Sequence, residues 1–352
     1  MRAASHARRV FSASRKAALA AARWSGALPL AGARLGGIGV IYMLHRVSAP
    51  EETNLHLGYR VSTDQLEATL RAVQRRSLDV IPIDDVEKRL SGSSPGRRFV
   101  CFGFDDGYVD NLTLALPLFR KYSFPFTVHV ATGLVRRELI YWWGALEELA
   151  RRADEIRFTP PGEPEPRTMP CRTLAEKRQA FDTLDALCHR HGMAFFEALG
   201  DELRARGVDA AALLDRDALT VAQLRELASD PLVTIASHSV THRPLGLLAQ
   251  GELEWELAAS RGQLERWLDR EIRHLAYPFG KAEACSPREF AAAARAGYRS
   301  AVTTRRGNLF PAHSEFLHCL PRRCIPSTGA QFENTLYGIE TLARGEPLFQ
   351  TN

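Results

Sequence analysis

The strongest constraint on this 352-residue chain is a series of short, nearly pure apolar runs of strand length, each followed by turn residues or a helical pattern. The runs are Gly39–Leu44, Asp79–Ile83, Phe99–Phe104, Phe126–Val130, Leu232–Ala236, His274–Tyr277 and Arg299–Thr303. They read as buried strands, and their alternation with helices around 62–76 and 111–121 predicts a parallel α/β sheet, open or closed. Between about 136 and 227 the period becomes helical, with a Pro-rich link at Pro160–Pro170 and charged helices such as Thr173–His191. That stretch is expected to be an insertion, sitting on one connection as a lid or platform. The chain then divides into a segment 1–38, a main domain 39–330 containing the insertion, and a tail 331–352.

Polar residues fall at telling places. His45, Asp105-Asp106, His238 and Tyr277 lie at or just beyond the C-terminal ends of the runs, where parallel α/β folds build their sites. Two adjacent carboxylates at a sheet edge repel and lose solvation, and a divalent cation supplies a reason for them. His238 and His242, four apart and entering from a strand end, can converge on one metal with a carboxylate as third ligand and an open position for water. The other carboxylate is placed for general-base work. His129, inside a strand, reads as a core residue.

Together these pieces resemble the polysaccharide deacetylases of the NodB-homology type, carbohydrate esterase family 4. The resemblance spans roughly 39–135 and 223–325 and rests on Phe104-Asp105-Asp106-Gly107, the His238 and His242 pair, and Ala276-Tyr277-Pro278-Phe279-Gly280. It implies a distorted (β/α) barrel and metal-dependent removal of N-acetyl groups from amino sugars. It also implies Asp106, His238 and His242 as metal ligands, Asp105 as base, and the Phe279 backbone N–H at the oxyanion. Zinc is the expected ion, although such a ligand set accepts several divalent metals. Ala276 stands where the family carries an arginine that steadies the base, and Arg322 or Arg323 in Leu320–Cys324 is expected to compensate. The motif order is similar to that of the permuted biofilm-exopolysaccharide deacetylases, whose acid histidine precedes the Asp pair on the first strand. His45 matches that position, to act as an imidazolium, with His318 as the fallback acid. Tyr141, Trp142 and Trp143 either stack on sugar rings or pack a lid helix. Two other functions stay open: a deformylase on a lipid-linked formamido sugar, and an inactive glycan-binding barrel. A metalloprotease is disfavoured, because the histidine pair lacks the Glu of His-Glu-x-x-His.

Charge decides the remaining partners. The pI of about 9.0 comes from the head, because residues 1–50 hold eight Lys/Arg and no acid, whereas 51–352 carry 38 basic and 41 acidic residues. A nucleic-acid partner wants its basic residues over a folded face, and is not expected. Basic residues recurring about every seven positions suit a helix lying on an anionic membrane, although a solvated tail or a transit peptide has the same composition. Six scattered cysteines without a Cys-x-x-Cys pair read as reduced thiols. The expected location is cytoplasmic, peripheral on the inner face of the membrane, and the expected substrate an amino-sugar glycan or lipid-linked saccharide.

Overall fold

The computed structural model describes residues 35–339 apart from 53–54, 56–58, 93–95 and 327–328. Most of the basic segment expected to lie on a membrane, and the tail from residue 340, fall outside the described residues. The strands are β1 (Gly39–Leu44), β2 (Arg46–Ser48), β3 (Arg60–Ser62), β4 (Asp79–Val80), β5 (Phe99–Phe104), β6 (Phe126–Val130), β7 (Glu155–Phe158), β8 (Arg167–Pro170), β9 (Val233–Ser237), β10 (His274–Ala276), β11 (Ser300–Arg306) and β12 (Leu320–Cys324). Seven of them form a parallel barrel in the order β1-β12-β11-β10-β9-β6-β5. It closes through six successive β1–β5 pairs from Gly39↔Phe99 to Leu44↔Phe104. The expected distorted (β/α) barrel is therefore the fold.

Strand periodicity sets which residues face inward. On β5, Val100, Phe102 and Phe104 join the large core between barrel and helices. Phe99 and Cys101 join a smaller core with Ile41, Ala276, Val302 and Leu320, which fills the barrel interior. Continuing that alternation puts Asp105 on the inward side of β5 and Arg322, two residues past Leu320, on the inward side of β12. The last barrel strand is one that the sequence hides, because Pro321-Arg322-Arg323 breaks the apolar pattern. The run Asp79–Ile83, which reads as a full strand, pairs only over Asp79–Val80, beside the first residues of β5.

The insertion builds a second core. Helices Trp142–Arg152 and Leu174–His191 pack together around Leu146, Leu149, Phe181 and Leu184, and the Pro-rich link is a β7–β8 antiparallel hairpin. Helix Val221–Ala228 returns Leu224 and Leu227 to the barrel core. Buried Arg46 on β2 ties the two parts, with its Nε 2.9 Å from Asp110 and its Nη1 donating to Asp217 at 2.8 Å. All six cysteines are free. Among the described residues no helix is long and apolar enough to cross a membrane.

Candidate active site

The two carboxylates leave β5 through a sharp turn. The Asp105 N–H donates to the Leu44 carbonyl at 2.9 Å, which holds β5 to β1 at the barrel mouth. Asp106 and Gly107 then take φ of 78° and 95°. A Cβ on Gly107 would sit 3.2 Å from the Val130 side chain, so the turn needs glycine there. Two residues adjacent in sequence are thereby given separate surroundings.

Asp105 is 1% exposed, yet ionised. Burial alone would raise its pKa, but the Arg322 guanidinium and the His129 contact hold it well below the usual carboxylate range. Arg322 donates from Nη1 and Nη2 to the two Asp105 oxygens, both at 2.7 Å, in a bidentate fork. Its Nε donates to the Thr303 carbonyl at 2.8 Å, which fixes the guanidinium plane. Arg323, on the opposite face of β12, donates to Asn308 instead, so Arg322 is the one that faces the base. His129 is more than a core residue, because its Nδ1 lies 3.0 Å from Asp105 Oδ1. Gly103 leaves the space for that ring: a Cβ there would lie 3.0 Å from His129 Cε1.

Asp106 faces the histidine pair. The Nε2 atoms of His238 and His242 lie 3.4 and 3.2 Å from Asp106 Oδ1, a buried oxygen that makes no hydrogen bond. The other oxygen accepts from the Tyr59 hydroxyl at 2.8 Å. His238 Nδ1 is 2.7 Å from the Ala276 carbonyl; donating there, it leaves Nε2 aimed at Asp106. The loop carrying both histidines is built around a fully buried carboxylate, Glu256, which accepts from the Val240 and Thr241 N–H groups at 2.8 and 3.0 Å. Ser239 and His242 adopt φ of 64° and 55°, which brings His242 back toward His238. One donor atom from each of Asp106, His238 and His242 lies within 4.8 Å of the others. A carboxylate oxygen without a hydrogen bond, facing two imidazole nitrogens, fits a tetrahedral divalent ion with one position left open.

Asp105, Asp106, Tyr59, His238 and His242 line one cleft of about 300 Å³ at the barrel mouth. His45, just past β1, stacks on the Tyr59 ring at 4.4 Å, with Nε2 4.0 Å from Asp105 Oδ2. Burial pushes its pKa down to about 4, against the pull of Asp106 and Asp105, so the imidazole is neutral at pH 7. His318, the fallback acid, is bound to the Tyr298 carbonyl at 2.8 Å and does not line the cleft. Phe279, with φ 61°, lines the cleft with its ring 5.1 Å from His242. Of the three insertion aromatics, Tyr141 is buried and Trp142 lines the cleft. Trp143 lines it as well, and donates from Nε1 to Tyr108 at 2.8 Å.

Sequence reasoning misses Tyr59, Tyr108 and Glu256. The two tyrosine hydroxyls share a short hydrogen bond, so Trp143, Tyr108 and Tyr59 form a chain that ends on Asp106. Single aromatic residues in loops and one glutamate in a charged helix carry no pattern that separates them from packing and solvated positions.

The fold and the site define a NodB-like (β/α) barrel with paired carboxylates and a histidine pair at its C-terminal mouth. Residues 181–301, about a third of the chain, match the family model for polysaccharide deacetylase, which bears out the resemblance read from the motifs. No curated protein matches the sequence. Among solved structures, the barrel is similar to the Streptococcus pyogenes deacetylase PplD in complex with acetate, at 20% identity and a TM-score of 0.54 over 88% of this chain and 98% of that one. IcaB from Ammonifex degensii is similar at 16% identity and a TM-score of 0.54, over 86% and 98% of the two chains. A de-N-acetylase from Aggregatibacter actinomycetemcomitans follows at 14% and 0.52, over 84% and 99%. At these identities the likeness shows a common fold.

Proposed function

We propose that the chain is a metal-dependent amide hydrolase that removes N-acetyl groups from an amino sugar in a polysaccharide or a lipid-linked glycan. The observation that carries this reading is the division of labour in the carboxylate pair: Asp105 is locked by Arg322 and His129, while Asp106 turns an oxygen that makes no hydrogen bond to two imidazoles. A divalent ion held by Asp106, His238 and His242 would polarise the amide carbonyl and acidify the attacking water. Asp105, ionised and fixed in orientation, takes a proton from that water. His45, neutral at rest and 4.0 Å from Asp105, receives the proton and delivers it to the departing nitrogen as the C–N bond breaks. The Phe279 N–H is assigned to the oxyanion. Products are acetate and a free amine, so protons and atoms balance.

The basic segment 1–38 supports a place on an anionic membrane at the cytoplasmic side, with a lipid-linked saccharide as substrate; loss of liposome binding on deleting it is the expected result. Acetate release from N-acetylated saccharides, with and without chelator, tests the reaction itself. Asp105→Asn is expected to abolish release while retaining metal, and Asp106→Asn to lose the metal. Full activity in both variants would overturn the scheme, and formate in place of acetate would select the deformylase.

A further inference from the structure

Helix Trp142–Arg152 of the insertion reaches the metal-site residues along one face. Its second residue, Trp143, starts the chain that ends on Asp106, and the direction of that chain is fixed from both ends. An indole N–H only donates, and an ionised carboxylate only accepts. Trp143 Nε1 donates to the Tyr108 hydroxyl at 2.8 Å, and the Tyr59 hydroxyl directs its own proton to Asp106 Oδ2, also at 2.8 Å. Tyr108 must therefore donate to Tyr59, so that all three donors point toward the carboxylate and polarise one another. Tyr108 is fully buried, with the Arg46 guanidinium 4.8 Å over its ring. The same helix face grips the chain beside Tyr59 a second time. Glu147, one turn on from Trp143, accepts from Arg60 Nη2 at 3.1 Å, and both side chains are buried.

Trp143 also meets a second residue of the set. His238 is oriented by the Ala276 carbonyl, whereas the Nδ1 of His242 is buried and makes no hydrogen bond. Metal-bound imidazoles are ordinarily oriented by a bond from that other nitrogen. The His242 ring is positioned instead by packing on Trp143 and Phe279, each 5.1 Å away between ring centres. Trp143 is held in its turn: the Tyr141 ring stands edge-on to it at 5.1 Å, and Gly144 leaves the room for that ring, because a Cβ there would overlap it. We infer that Trp143 is a positioning residue of the metal site, and that the insertion sets the affinity for the ion by holding Asp106 through the two tyrosines and His242 through the indole ring. The inference rests on the reading of Asp106, His238 and His242 as a ligand set, and is independent of which acyl group the enzyme removes.

The test is zinc affinity of the full-length protein, measured by chelator competition without substrate, for wild type, Trp143→Phe, Tyr108→Phe and the double variant. Trp143→Phe keeps a ring beside His242 and removes the indole N–H, and Tyr108→Phe interrupts the chain at its middle. Each single change is expected to weaken zinc binding about 10-fold, as for other groups that orient metal ligands. The double variant should bind about as well as Tyr108→Phe alone, because members of one chain are coupled. A residue that only packs the helix would lower the melting temperature of the zinc-free protein and leave zinc affinity at the wild-type value; that result overturns the inference, and so do losses that multiply in the double variant. Failure of the wild type itself to bind zinc would instead overturn the ligand reading on which the inference rests, so the two failures are distinguishable.

Discussion

Asp105 and Asp106 are adjacent and chemically identical, and their neighbours alone give them different work. The arginine expected to compensate for Ala276 is Arg322, which meets Asp105 from another strand inside the barrel. Because that guanidinium holds the carboxyl down, Arg322→Gln should raise the Asp105 pKa. The acid limb of the pH–rate profile should then move to higher pH, with a loss in kcat of at least about 100-fold, the scale of a misplaced catalytic group. An unmoved acid limb would show that Arg322 does not set the base. Tyr59 belongs to the same scale, since its hydroxyl donates to the Asp106 oxygen that faces away from the histidines. Tyr59→Phe keeps the ring stacked on His45 and removes that bond together with the hydroxyl contact to Tyr108. Metal affinity measured by chelator competition should fall by about 10-fold or more, as for other groups that orient metal ligands.

At the scale of elements, the site depends on loops held from behind. Glu256, in the helix Gln250–Leu268, anchors the turn between His238 and His242 by accepting two backbone N–H groups. Glu256→Ala leaves those donors unsatisfied, at a cost of roughly 2–4 kcal/mol, and should lower both the melting temperature and metal affinity while the barrel's circular dichroism persists. Unchanged metal affinity would show that the turn holds itself. This element also shows what the sequence can reveal. Asp105, Asp106, His45 and the histidine pair were legible because charge at the end of an apolar run has no cheap structural explanation. Glu256 was not, because one glutamate among the acids of a helix looks solvated until its depth is known. The strand Leu320–Cys324 was hidden for the opposite reason: its arginines lie in the interior only because Asp105 and Asn308 wait there, and partners remote in sequence leave no local trace. The insertion was legible as helical from its period, whereas its β7–β8 hairpin lay in a Pro-rich stretch that reads as loop.

For the molecule as a whole, metal binding, folding and protonation are linked through the barrel mouth. In the metal-free protein burial opposes charge on His238, but Asp105 and Asp106 prevail and raise its pKa above the ordinary histidine value. A group with a raised folded pKa stabilises the protein below about pH 6.5 and loses that contribution as pH rises through the raised value. His45 runs the other way: burial depresses it to about 4, so its contribution is present above about pH 6.5 and is lost as pH falls toward 4. The Asp106 carboxylate is already held ionised, so His238 is the ligand that must give up a proton when an ion binds. Metal affinity should therefore increase with pH until the raised His238 pKa is passed, with proton release accompanying ion binding. Titrating zinc into chelator-treated protein at pH 7, in two buffers of different ionisation enthalpy, counts that proton. Bound metal at about 100 times Kd adds roughly 2.7 kcal/mol to stability, so the melting temperature of the loaded protein should pull further ahead of the metal-free one as pH rises across that window. A pH-independent affinity with no proton release would mean that the resting site is not the Asp106–His238 ion pair, and that the ion enters a mouth already neutral.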